Sequence, residues 1–253
     1  DGASYPALNT SEELQLEVEL TKLQQNAPCA LVRQTLQQLE KDHFERRKWI
    51  WFELGLAPLA GVLEHLTNIA KLTERAFNGS SVEEMATQYE TLYWQVDDQV
   101  LRALAYPLKN THQELVKALL NIIYSPWLDE VTVNFQNLVA RHGYVGERLA
   151  RESKAQYQRG GEVVFFVDGL RFDIAKRLCI RLEKLGSLTL SNDWAALPSV
   201  TATAKAAVTP VHERLTGRTT DKDFHPSILE TDASFSLHYL KKYLAEKGWA
   251  YLE

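Results

Sequence analysis

The stretch VVFFVDGLRFDIAKRL, residues 163–178, sets five apolar residues in a row directly before Asp168 and Gly169. An unbroken β-branched and aromatic run of this length is the pattern of a strand covered on both faces, as in a parallel sheet. Gly169 allows a sharp turn, because a residue without Cβ reaches backbone angles closed to others. The period then changes: Leu170, Ile174, Leu178, Leu182 and Leu185 share one face of a helix that Gly186 closes. Strand, turn and helix predict an α/β unit. In open α/β sheets the reacting groups sit just beyond the C-terminal ends of strands. Asp168 stands at such an end, and its carboxylate, ionised at neutral pH, is a hard oxygen donor for a divalent metal. The competing expectation is that Asp168 caps the helix that follows, a common post for aspartate.

Working outward, SLTL (187–190) and WAYL (249–252) read as further short strands, and TATAKAAV (201–208) and SFSLHYLKKYLAEKG (234–248) as helices. The predicted class is therefore α/β with a mainly parallel sheet and right-handed crossovers over residues 158–253. Within WAALPSVTATAKAAVTP (194–210), Pro198 and Ser199 mark a turn and Thr201 stands at a helix start. Free backbone N–H groups at a helix start suit a phosphoryl oxygen. A threonine hydroxyl is a poor nucleophile alone, but ionises when coordinated to a divalent metal. The plainer expectation is an N-cap. Lys205, four residues on, is placed to neutralise a phosphate, or equally to be solvated or salt-bridged.

Toward the N-terminus, residues 10–157 read as helices only. Thr10 or Ser11 is a candidate cap, with Leu14, Val18, Leu20 and Leu23 behind it. A second helix runs through Leu31, Leu36, Leu39 and Phe44 into Trp49, Trp51 and Phe52, and ends or kinks at Pro58. A third spans 59–77. Ser80 or Ser81 then caps a helix with Glu83 and Glu84 in its first turn and Tyr89, Leu92, Tyr93, Val96, Val100 and Leu104 at helical spacing. Two more are expected near 115–123 and 128–141. The aromatic spacing points to core packing rather than a base-stacking surface. ERRKW (45–49) reads as a solvated helix face rather than a phosphate contact. No repeat of fixed length is present, which speaks against a solenoid.

The 253 residues are 45% hydrophobic and 24% charged, ordinary for one large or two smaller globular domains. A net charge of −5 rules out a global basic field for nucleic acid. Two cysteines, Cys29 and Cys179, are too few for a disulfide framework or a four-thiolate zinc site, and suit a reducing, cytoplasmic compartment. No apolar run reaches the roughly 18 residues of a membrane span. The first residue is Asp1 and the lone methionine is Met85, so the chain reads as a piece of a longer one.

Together, a strand ending in Asp168-Gly169 and, 33 residues after the aspartate, Thr201 opening a helix behind Pro198-Ser199 resemble the alkaline phosphatase superfamily. FVDGLRFDIAKRL with WAALPSVTATAKAAVTP resembles, more narrowly, the PglZ domain of bacterial phage-defence systems of the BREX type. That resemblance implies a helical region, here 1–157, before the first part of an alkaline-phosphatase-like domain, here 158–253. It implies Asp168 as a metal ligand and Thr201 as both nucleophile and metal ligand. The cofactor would be a divalent metal, most simply zinc, and the activity a phosphatase or phosphodiesterase. Arg171 and Asp173 belong to the motif without an assigned role. Partners would be other defence-system proteins, with DNA reached through the complex and no membrane. The remaining ligands of that family are expected beyond residue 253, which would leave this piece inactive by itself. The pair Asp221 and His225 has ligand spacing but reads as a surface loop, and His212 and His238 as ordinary histidines. The alternative function is a non-catalytic scaffold, or a DNA- or protein-docking component, of the same complex.

Overall fold

The computed structural model describes residues 5–25, 27–146, 161, 163–217 and 225–252. Backbone contacts divide the chain into two compact units, Asp1–Gly143 and Tyr144–Glu253.

The first unit is a helical assembly of α1 Pro6–Leu23, α2 Cys29–His43, α3 Ile50–Glu53, α4 Pro58–Leu72, α5 Val82–Gln88, α6 Trp94–Leu104, α7 Asn110–Ile123 and α8 Ser125–His142. Helix α4 is its axis, packed against α2, α6, α7 and α1. Pro58 opens α4 rather than ending its predecessor, since its fixed φ and missing N–H suit a first turn. Leu59, Val62, Leu63, Leu66 and Ile69 are then fully buried, against Leu16 and Leu20 of α1, Val32 and Leu36 of α2 and Leu119 and Ile123 of α7 as the rest of the core. Gly61 lets the Tyr106 ring approach the helix backbone, because a Cβ built there would stand 1.7 Å from the Tyr106 hydroxyl. Phe77, Tyr93 and Trp127 form the aromatic part of this core, with Phe77 and Tyr93 stacked at 4.3 Å.

Local chemistry sets the helix ends. Ser81 caps α5, its hydroxyl accepting from Glu84 N at 3.1 Å, while the Glu84 carboxylate accepts from Ser80 N and Ser80 Oγ at 2.7 Å. Helix α1 begins at Pro6, ahead of the expected caps, and Thr10 donates back to the Pro6 carbonyl at 3.1 Å. Its buried face is Leu16, Leu20 and Leu23, while Leu14 and Val18, expected on that face, are exposed. ERRKW is not a solvated face. Arg46 is 2% exposed, donating to Glu13 at 2.8 Å and Asn9 Oδ1 at 3.0 Å. Glu13 also accepts from the Leu59 and Ala60 amides, so one carboxylate serves Arg46 and the start of α4. Arg47 pairs with Glu40 through two nitrogens.

The second unit contains α9 Phe172–Leu182, α10 Thr201–Ala207, α11 Leu237–Glu246 and a two-residue antiparallel pair, β1 Leu215–Thr216 with β2 Ser227–Ile228. It is not an alkaline-phosphatase-like α/β domain with a mainly parallel sheet. The described residues are mostly helical, and β1–β2 is the only sheet among them. Residues 163–167, 187–190 and 249–252 carry no ladder. The physical reason is the lack of a neighbouring strand among the described residues: a strand's amides and carbonyls need a second strand, and an apolar run encodes affinity for one without supplying it. Residues 163–167 are accordingly between 44% and 84% exposed. Leu178 and Leu182 of α9, and Leu185 just after it, are likewise exposed. Val211, Ile228, Leu240, Tyr243 and Leu244 form this unit's main described core, with Phe235 and Trp249 against it.

Candidate functional site

Asp168 and Thr201, 33 residues apart in sequence, meet in the second unit. Thr201 Oγ1 donates to Asp168 Oδ2 at 2.8 Å. Neither residue is the cap that its position suggested. The N-cap of α9 is Arg171, three residues past Asp168, and that of α10 is Val200, one before Thr201. Gly169 takes φ +67° with open space around its α-carbon, so the glycine is there for its backbone angle and not for a close approach. That turn leaves the Asp168 carboxylate exposed.

The acid that serves the start of α9 is Asp173. It is fully buried in the helix's first turn and accepts from Arg171 Nε at 3.0 Å. Thr203 does the corresponding work for α10. Its hydroxyl sits on the Pro198 carbonyl and accepts from the Val200 amide at 3.4 Å. Thr201 is thereby released from backbone duty. Helix α10 has only seven residues, so its dipole adds little toward a bound anion.

Lys205 lies one turn beyond Thr201. It is half-buried and, among the described residues, forms no ion pair. Its ammonium stands 5.7 Å from the centre of the Phe166 ring and 5.9 Å from that of Tyr251. Lys241 of α11 lies 5.0 Å from the same Tyr251 ring. The neighbourhood of Lys205 with Phe166, Tyr251 and Lys241 was not legible in the sequence. Only Phe166 is near a motif, and nothing in WAYL announces that Tyr251 returns to α10.

Two oxygen donors 2.8 Å apart fit one edge of a divalent cation's shell, since cis ligands on bonds of about 2.0–2.1 Å stand about 2.9 Å apart. Among the described residues no group of three or more His, Cys, Asp or Glu side chains is arranged to hold a metal. His225 is exposed, while Asp221 lies outside the described residues. His212 places Nδ1 against the Thr209 carbonyl at 3.1 Å, and His238 packs edge-on against Tyr239. No helix among the described residues is long and apolar enough to cross a membrane.

Charge divides unevenly between the units. Residues 1–143 hold 12 basic and 19 acidic side chains, and residues 144–253 hold 16 and 14. An anionic substrate therefore meets a less repulsive field at the second unit. Comparison with protein families, with curated proteins and with solved structures finds no match to this chain.

Proposed function

We propose that this chain carries the nucleophile end of a metal-dependent phosphoester hydrolase, a PglZ-like component of a BREX-type defence system. The observation that supports this reading is the 2.8 Å contact between Thr201 and Asp168, made by two side chains that do no capping. A divalent cation, zinc by the resemblance, would be held by Asp168 and Thr201 and would supply the charge that lets the hydroxyl ionise. The chain's own residues do the rest. Asp168 accepts the Thr201 hydroxyl proton's hydrogen bond, which points the oxygen's remaining lone pairs away from the carboxylate and toward an incoming phosphorus. As Thr201 Oγ bonds to phosphorus, its hydroxyl proton passes to Asp168 and on to the leaving alkoxide oxygen, whose bond to phosphorus breaks. Water then releases phosphate and restores the hydroxyl. Lys205 offsets charge on the equatorial oxygens.

The test is turnover of bis(p-nitrophenyl) phosphate by the intact gene product. Thr201→Ala and Asp168→Ala should each lower the rate by at least about a thousandfold, the scale of losing a nucleophile or its activation, with unchanged circular dichroism. Wild-type turnover by Thr201→Ala would reduce Thr201 to a structural residue. The second reading, a docking or scaffold role in the same complex, draws on the exposed apolar residues 163–167 and the exposed stripe of α9. An inactive intact protein that still binds its partner proteins would favour it.

A further inference from the structure

Among the described residues Lys205 is a half-buried cation that forms no ion pair. Its ammonium stands 5.7 Å from the centre of the Phe166 ring and 5.9 Å from that of Tyr251. Partly desolvated charge of this kind is met by a ring's π face until an anion arrives. Lys241 brings a second ammonium to Tyr251, at 5.0 Å. The two rings stay open to solvent, Phe166 at 44% and Tyr251 at 37% exposure. Phe166 stands two residues before Asp168, and Lys205 four after Thr201, so this cluster adjoins the hydroxyl–carboxylate pair. Its chemistry is double: ammonium groups for phosphate and flat π faces for a planar ring. A simple alkyl phosphate would use only the first half.

We propose that Lys205, Lys241, Phe166 and Tyr251 form a nucleoside-phosphate subsite. Lys205 turns from the rings onto the phosphate, Lys241 adds positive charge beside it, and the base stacks on the ring face that Lys205 leaves. The proposal rests on the phosphoester reading for its purpose, but the subsite binds without metal or turnover. It predicts which ester is chosen, namely one whose phosphate carries a nucleoside.

The experiment is calorimetric titration of the intact gene product, stripped of metal with chelator, against inorganic phosphate, ribose 5-phosphate, AMP and a 5′-phosphorylated pentanucleotide. AMP should bind about tenfold tighter than ribose 5-phosphate, the scale of one stacked base. Tyr251→Ala and Phe166→Ala should each shrink that ratio, while Tyr251→Phe keeps it. Lys205→Gln and Lys241→Gln should weaken AMP and ribose 5-phosphate alike. Tyr251→Phe and the lysine variants are mild enough to decide the matter if a ring-to-alanine change unfolds the protein. If the pentanucleotide exceeds AMP by tenfold or more, the natural source is a nucleic-acid end. If the two bind equally, it is a free nucleotide. Equal binding of AMP and ribose 5-phosphate, or a ratio untouched in Tyr251→Ala, overturns the proposal. Preference for AMP without any hydrolysis by the metal-loaded protein would overturn the hydrolase reading and leave this one standing. Hydrolysis without preference would do the reverse.

Discussion

His43 is buried at the end of α2, with Arg46 Nη1 3.4 Å and Glu12 Oε2 3.6 Å from its Nδ1. Burial and then the Arg46 charge hold its pKa below the ordinary imidazole value, against the opposing pull of Glu12, Asp42 and Glu13. The sign follows from proton uptake. Below about pH 6.5 the unfolded chain takes a proton that the folded chain refuses, so this group's contribution to stability is full above 6.5. It is lost as pH falls toward the depressed folded value, and then levels off. Urea midpoints between pH 7.5 and 5.5 should therefore fall with pH, and His43→Gln should flatten that fall. A slope unchanged in His43→Gln would show that other groups carry it. The residue scale is also where the sequence was most readable for the site. Asp168-Gly169 and Thr201 stand out as candidates because a turn and a helix start are local signals. What the sequence could not give was the division of labour between near neighbours. Asp173 and Thr203, not Asp168 and Thr201, serve the two helix starts.

Elements were legible where their stabilisation is local. Helices α4, α6 and α7 show apolar residues at three- and four-residue steps, and the structure buries those faces. Strands were not legible, because a ladder depends on a partner that no single run specifies. Residues 163–167 have the composition of a buried strand and none of its hydrogen-bonded neighbours among the described residues. Close packing was equally hidden. Gly61 sits inside α4, where glycine loses about 1 kcal/mol to alanine in helix propensity, yet its missing Cβ is the space the Tyr106 hydroxyl fills. Gly61→Ala should thus fail to stabilise. The methyl group forces Tyr106 outward, and overpacking of about 1–3 kcal/mol outweighs the propensity gain. Chemical denaturation should read a net loss in Gly61→Ala that Tyr106→Phe reduces, since removing the hydroxyl removes the nearest clash. A more stable Gly61→Ala protein would mean that Tyr106 moves aside freely.

At the scale of the molecule, two units of different character share one chain. The first has a broad aliphatic core and a net acidic surface. The second has a small described core and a slight basic excess. The second unit holds the Asp168–Thr201 pair and Lys205, and among the described residues no group of three or more metal-binding side chains is present. That arrangement makes a definite expectation for the 253-residue chain titrated with zinc. A carboxylate and a neutral hydroxyl are two donors, where zinc sites take three or four protein ligands. Binding weaker than about 100 μM adds only about 0.2 kcal/mol at 50 μM zinc through mass action, which moves a melting midpoint by about 1 °C. Differential scanning calorimetry with 50 μM zinc, and again with chelator, should therefore give nearly one curve. An upward shift of more than about 5 °C would require a site of three or more ligands. If that shift vanished in His225→Ala or Asp221→Ala, the segment around 221–225 would be a ligand loop rather than a surface loop. The metal would then sit on donors that neither the Asp168–Thr201 pair nor the described residues bring together.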